Sequence, residues 1–164
     1  AYILDDENTS NHHCLLTKVP LAGTVFFLSH DGDSRVVFSD TMSFLQAVSD
    51  AAIQGVSVSD LHPALSPVAA NQTSLNHFLR SLLERGDCNE LVVSLIPSLD
   101  LKDTALLQEF ANDSDFYLGE AVAMAIENRP ASFLLAVAAS CAEHRHPQVA
   151  SAGARAVRRI GQLS

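Results

Sequence analysis

The side chains best suited to chemistry in this sequence are histidines, cysteines and carboxylates gathered in short clusters. Asn11-His12-His13-Cys14 offers ligand atoms for a metal ion, but neighbours in an extended chain point to opposite sides and cannot all face one ion. His144-Arg145-His146 lies between two predicted helices, where histidines commonly serve as caps or surface groups. We therefore expect a polar loop at the first cluster, no metal at either, and no cofactor.

A third cluster, His30-Asp31-Gly32-Asp33, places an imidazole and two carboxylates in a predicted hairpin turn. A calcium loop would need further oxygen ligands at alternating positions and a closing glutamate, which the following residues 34–36 do not supply. Aspartate and glycine also favour turns for backbone reasons. Two interpretations stay open, a solvated turn and an acidic recognition tip. In the second, the partner-binding residues are His30, Asp31 and Asp33.

The sequence lacks the motifs of common enzymes, with no GxSxG, no Gly-rich phosphate loop and no HExxH. Cys14, Cys88 and Cys141 are far apart and form no CxxC pair, which argues against a zinc finger or a disulfide framework and favours a reducing cytoplasm. The acids Asp5-Asp6-Glu7 are typical of solvated surface. The prediction is a protein that is not an enzyme, and a metal-dependent or hydrolytic enzyme using the histidine clusters is kept as a third hypothesis.

The element that positions the hairpin cluster is a predicted β-hairpin followed by a helix. Residues 24–30 and 34–40 are rich in β-branched and aromatic side chains, and the run VFFL indicates burial on both faces of the sheet. Residues 1–13 are interpreted as an irregular lead-in. Ser39 or Asp40 can cap a helix that ends at Gly55. Its apolar stripe is predicted from spacing to comprise Phe44, Leu45, Val48 and Ala52.

The remainder of the chain is predicted to be helical after a connector that contains two prolines. Helices are predicted in pairs at roughly 73–97, 101–128 and 130–162, a unit length typical of stacked helical repeats. Small residues in ASAGARAV (150–157) predict close packing of the last helix. The expected fold class is α+β, with an α+β unit over 1–56, a connector over 57–72 and a helical region over 73–164.

Composition and charge favour a protein partner. The chain of 164 residues is 48% apolar and carries a formal net charge of -9, which argues against a nucleic-acid partner. Residues 1–60 hold eight acids against Lys18 and Arg35, so a basic partner would be steered there. No apolar run reaches membrane-spanning length, and the start AYILDDENTS lacks the basic and apolar regions of a secretory leader. We expect a cytoplasmic protein with no membrane contact.

The segment PLAGTVFFLSHDGDSRVVFSDTMSFLQAV (20–48) resembles the carboxyl-terminal part of the SMI1/KNR4-like superfamily, called SUKH. In that family a strand pair with a polar turn runs into a short helix, and Ser43, Phe44 and Leu45 stand where that helix begins. The family's usual amino-terminal helices are not evident before residue 14. The tail from about residue 101 resembles HEAT-like repeats.

Both resemblances imply binding. Bacterial proteins similar to SUKH are commonly immunity proteins that neutralise a cognate toxin, and HEAT-like arrays generally form protein-binding surfaces. The leading hypothesis is therefore a protein-binding module of the immunity type, which covers the surface of a basic partner. The alternative is a structural or assembly subunit that forms a homo-oligomer through its helical stack.

Overall fold

The computed structural model describes residues 1–5 and 9–163, and it divides into two compact units, residues 1–78 and 79–164. The division falls within one helix, Gln72–Arg85. The described residues form a small antiparallel sheet followed by seven α-helices, so the predicted α+β fold is confirmed.

Four short strands build the sheet of the first unit, in the spatial order β1-β2-β3-β4 with antiparallel neighbours. They are β1 (Tyr2–Ile3), β2 (His12–Leu15), β3 (Val25–Leu28) and β4 (Arg35–Phe38). The prediction of an irregular lead-in over residues 1–13 is wrong at both ends of that range, because Ile3 pairs with Cys14 and His13 pairs with Phe27. Strands of two to four residues are too short to show an alternating apolar pattern in the sequence. Pairing with β3 holds β2 in an extended conformation.

A register shift between β3 and β4 concentrates aromatic side chains on one face of the sheet. Val25 pairs with Phe38 while Phe26 pairs with Val36, which leaves Val37 as an extra residue in β4. Burial on both faces is confirmed for the first three residues of the VFFL run, whereas Leu28 is 48% exposed. One buried cluster, which we call the aromatic core, comprises Val25, Phe27, Val37, Phe38, Phe44 and Ala47.

Helix α1 (Thr41–Gln54) follows β4 directly, and its predicted ends are confirmed. Asp40 Oδ1 accepts from the Ser43 backbone N–H at 2.8 Å, and Gly55 ends the helix at φ 68°. The stripe predicted from spacing is wrong in part, since Leu45, Val48 and Ala52 are exposed. The buried face is formed by Phe44, Ala47 and Ala51. Apolar residues occur on two sides of α1, so the helical period alone does not show which side is buried. Phe44 packs into the aromatic core, and this contact determines the buried side.

The predicted connector contains one turn of 3-10 helix, Val58–Leu61. Asp60 Oδ2 accepts from the Ser57 N–H at 2.9 Å, and the Ser57 hydroxyl accepts from the Ser59 N–H, so the two side chains form a capping box at the amino-terminal end of the turn. His62 follows immediately as its carboxyl-terminal cap. This turn therefore sets the position from which the His62 side chain projects.

All the regular secondary structure in the described residues of the second unit is helical. Beyond the end of α2 (Gln72–Arg85) it contains α3 (Asn89–Leu95), α4 (Thr104–Ala111), α5 (Phe116–Asn128), α6 (Leu135–Ala142) and α7 (Pro147–Gly161). Two 3-10 turns, Ile96–Ser98 and Ser132–Leu134, precede α4 and α6. Helix α7 packs against α5 and α6, and α4 packs against the same two helices. The helices are confirmed, and their stacking as repeats stays a prediction.

Candidate functional site

The hairpin tip has an ordered backbone and exposed side chains. The Ser34 hydroxyl accepts from the Ser29 N–H at 3.0 Å and thereby closes the loop between β3 and β4. The Asn11 side-chain oxygen accepts from the His30 N–H at 2.8 Å, and Gly32 adopts a positive φ of 93°. His30, Asp31 and Asp33 are exposed. The structure thus brings the three predicted partner-binding residues together on one turn.

Arg35 is turned away from solvent although it follows the tip directly. Its side chain is 15% exposed, and Nη2 donates to the Pro63 carbonyl at 2.8 Å. Its Nε lies 3.9 Å from Asp33 Oδ1, while the Asp33 side chain stays 80% exposed. The only other Lys or Arg of residues 1–78 is Lys18, which is exposed. Among the described residues of this unit, exposed carboxylates therefore outnumber exposed cations.

A partly buried chain of short polar contacts joins Asp5, His13 and His62, a group we call the histidine cluster. Asp5 Oδ2 accepts from the His13 backbone N–H at 2.9 Å and lies 2.6 Å from His13 Nδ1. His13 Nε2 lies 2.7 Å from His62 Nε2, although the two residues are 49 positions apart. His13 is only 5% exposed. The expectation of a polar loop here is wrong, because β2 carries His13 into the interior.

Aromatic rings enclose the two imidazoles. The His13 ring centroid lies 5.1 Å from that of Phe27 and 5.2 Å from that of Phe44. The His62 ring packs edge-on at 4.7 Å from Phe27 and 5.7 Å from Phe38. The polar chain thus lies against the aromatic core and links β2, α1 and the segment after the 3-10 turn.

The histidine cluster has room for one hydrogen between its two rings. An ionised Asp5 only accepts, so His13 Nδ1 carries a hydrogen, and either ring can then donate across the Nε2–Nε2 contact. Protonating both rings would set two hydrogens against each other across 2.7 Å. Burial, followed by the nearby charges of His13 and Arg35, lowers the pKa of His62 from 6.5 to about 4. The cluster is therefore built for a neutral His62.

In sequence, Asp5, Asp6 and Glu7 appear as one run of solvated acids. Asp5 instead accepts from His13 and has its Oδ1 3.6 Å from His12 Nδ1. Asp6 and Glu7 lie outside the described residues. Nothing in the local sequence indicates that Asp5 belongs to this cluster. His62 is far away in the chain, and a single histidine in a polar segment has no distinguishing sequence pattern.

The second unit contains an open polar cleft of about 520 Å³ at the end of α6. Its lining side chains are Asn112, Asp113, Ser140, Glu143, His144 and Arg145. His144 Nδ1 accepts from the His146 N–H at 3.0 Å, and the His146 ring stacks on Phe116 with centroids 3.7 Å apart. His146 is the residue that precedes α7, but its side chain makes no capping hydrogen bond there.

The thiols are poorly suited to nucleophilic chemistry. Cys141 is fully buried, and burial raises its pKa to about 11. Cys14 is buried too, and burial raises its pKa above the ordinary value. Cys88 stands at the start of α3 rather than in a core, and its hydrogen bond to Asp87 at 3.0 Å raises its pKa.

We expect a thiol-reactive reagent at neutral pH to modify one cysteine per folded chain, Cys88, and to modify all three only after unfolding. Mass spectrometry of the labelled protein checks this. Rapid labelling of Cys141 in the folded state would contradict its burial in the packing of α6.

In the part of the chain that the structure describes, no group of three or more His, Cys, Asp or Glu side chains is arranged to hold a metal ion. The helices of the same residues include none that is both long and apolar enough to cross a membrane.

Comparison of the chain with protein-family models, with curated proteins and with solved structures gives no match. The SUKH-like resemblance of residues 20–48 and the HEAT-like resemblance of the tail therefore stay predictions.

Proposed function

We propose that this protein is a binding module for a basic protein partner in the cytoplasm. Its sharpest form is an immunity-type protein, which neutralises a toxin by covering the surface that the toxin uses. The SUKH-like segment supports the amino-terminal unit as the recognition part, and the helical unit, interpreted as HEAT-like, supports a general protein-binding role.

The observation that carries the proposal is the nearly uncompensated charge of the first unit. Residues 1–78 hold eight acids and two bases, a net charge of -6. One of those two bases, Arg35, is largely enclosed and donates to a backbone carbonyl. A net negative charge of this size on a small unit attracts a positively charged partner and repels negatively charged proteins.

The hairpin tip is the proposed leading edge of that encounter. Asp31 and Asp33 are exposed on a turn whose backbone is held by Ser29, Ser34 and Asn11. A pre-ordered turn loses little conformational freedom on binding, so its carboxylates favour association at small entropic cost. Electrostatic contacts of this kind raise the association rate more than they lower the dissociation rate.

Reversing both charges, in the double variant Asp31→Lys and Asp33→Lys, is expected to slow association with the basic partner by about tenfold at low salt and to weaken its salt dependence. The partner is first captured from an extract of the native source on immobilised protein, eluted by a salt gradient and identified by mass spectrometry. Stopped-flow kinetics with the purified partner then give the association rate.

The matched control is the double variant Glu84→Lys and Glu90→Lys, which makes the same change in net charge on exposed positions of the second unit. An equal slowing in both variants would assign the effect to total charge and contradict the placement at the tip. Recovery of only the protein itself, with a stable homo-oligomer in sedimentation, would instead support the self-associating assembly subunit.

A further inference from the structure

Helix α1 carries a second apolar face that nothing in the described chain covers. On the side away from Phe44 it exposes Met42 (74%), Leu45 (52%) and Ile53 (80%). Val48, one turn after Phe44, is 38% exposed and lies at the border between this side and the buried one. Val56, just past the helix, is 43% exposed. Met42, Leu45 and Ile53 lie on one side of the helix, and Met42 and Ile53 are about 16 Å apart along its axis. We call this stripe the outer face of α1.

The outer face differs from scattered surface apolar residues because Met42, Leu45 and Ile53 lie on one side of one helix, with only Ser49 between Leu45 and Ile53. Single exposed apolar side chains are normal on a protein surface, whereas a continuous apolar strip marks an interaction site. The helix itself is firmly placed, since Phe44, Ala47 and Ala51 are buried on its other side and both of its ends are capped. The strip is therefore presented on a rigid element.

Charge around the outer face is negative. No basic residue lies in α1, and none occurs in its last turn. Asp40 caps the helix at one end, and Asp50 lies beside the strip, where its Oδ1 accepts from Gln46 at 2.9 Å. An anionic lipid surface and a second copy of this acidic unit would both be repelled here. The complementary occupant is an amphipathic segment with apolar residues flanked by Lys or Arg.

We propose that the outer face of α1 is the docking surface for an amphipathic basic helix of the protein partner. Apolar side chains of that helix cover Leu45 and Ile53, while its cations face the carboxylates of the first unit. This inference rests on the proposed function and adds to it the place and the chemistry of the contact. The apolar strip supplies the short-range attraction that the charged tip lacks.

The test uses the full chain and a defined probe, a 14-residue amidated peptide of leucine and lysine at helical spacing, titrated while backbone amide NMR signals are followed. We expect the signals of residues 42–56 to shift and the shift to saturate. The double variant Leu45→Ser and Ile53→Ser should weaken binding at least about tenfold. Val19→Ser is the matched control, because Val19 is 82% exposed in the same unit and lies outside the strip. A peptide with glutamate in place of lysine should not bind.

Several results would overturn the assignment. Shifts confined to the hairpin tip, with unchanged affinity in the Leu45→Ser and Ile53→Ser variant, would refute docking on α1 while leaving a basic partner intact. Dimerisation of the unmodified protein that the same variant abolishes would make a second copy the occupant. Binding of the glutamate peptide with equal affinity would remove the charge argument. The proposed function is tested by a different result: capture from the native source that yields no basic protein would contradict it.

Discussion

Replacing Gly153 with alanine is expected to destabilise the protein by about 3 kcal/mol, a large effect for one methyl group. A Cβ built on Gly153 would lie 2.3 Å from the backbone nitrogen of Ala142 and 2.5 Å from the carbonyl carbon of Cys141. Both atoms belong to the backbone of α6, which cannot rotate away as a side chain can. Helix α7 would have to move off α6, and both helices carry buried residues of the second unit.

The same helix provides the control. Gly161 ends α7, and a Cβ there meets no atom within 4 Å. Gly161→Ala should therefore leave stability unchanged or raise it by up to about 1 kcal/mol through helix propensity. Thermal unfolding followed by circular dichroism compares the two, and a loss of about 3 kcal/mol corresponds to a fall in Tm of roughly 6–12 °C. Equal Tm values for the Gly153→Ala variant and the unmodified chain would contradict the close contact.

The second large effect concerns pH. Because the pKa of His62 is about 4 in the folded chain and 6.5 when unperturbed, the unfolded chain binds a proton that the folded chain does not as pH falls between those values. The free energy of unfolding should therefore decline as pH falls from 6.5 towards 4. The His62 contribution to that decline is about 1–2 kcal/mol after allowance for solvent screening, since His62 is only half-buried.

The variant His62→Phe separates this contribution from the titration of other groups. Phenylalanine can keep ring contacts with Phe27 and Phe38 but leaves His13 Nε2 without its partner, so stability at pH 7 should fall by about 1–3 kcal/mol. Between pH 6.5 and 4, the free energy of unfolding of this variant should fall by less than that of the unmodified chain. Urea unfolding at several pH values measures both.

His30→Gln is the matched control for that series, because His30 is an exposed histidine of the same unit. This variant should retain the full pH dependence. An identical pH dependence in the His62→Phe variant and the unmodified chain would show that His62 is not the group responsible, and the one-hydrogen description of the histidine cluster would then be wrong.

The local signals in the sequence were sufficient for most of the secondary structure. The sequence predicts that Ser39 or Asp40 begins α1 and that Gly55 ends it, because capping depends on residues within one turn of each other. Asp40 is the cap, and Gly55 ends the helix. Pro147 suits the first turn of α7 for a similarly local reason, because its ring fixes φ and a missing N–H costs nothing there. The hairpin turn with His30, Asp31 and Asp33 also followed from adjacent residues, although whether it binds a partner stays a prediction.

The sequence by itself determined the class of the fold, the acidic excess of the first unit and the presence of a close-packed last helix, since each depends on composition or on neighbours in the chain. Only the tertiary structure decided which face of α1 is buried, which backbone meets Gly153, and that His13 and His62 share a hydrogen. Those outcomes depend on contacts between residues far apart in the chain. The spacing of apolar residues in the sequence does not specify such contacts, because one spacing is compatible with packing against several different elements. The energy of packing selects among these arrangements.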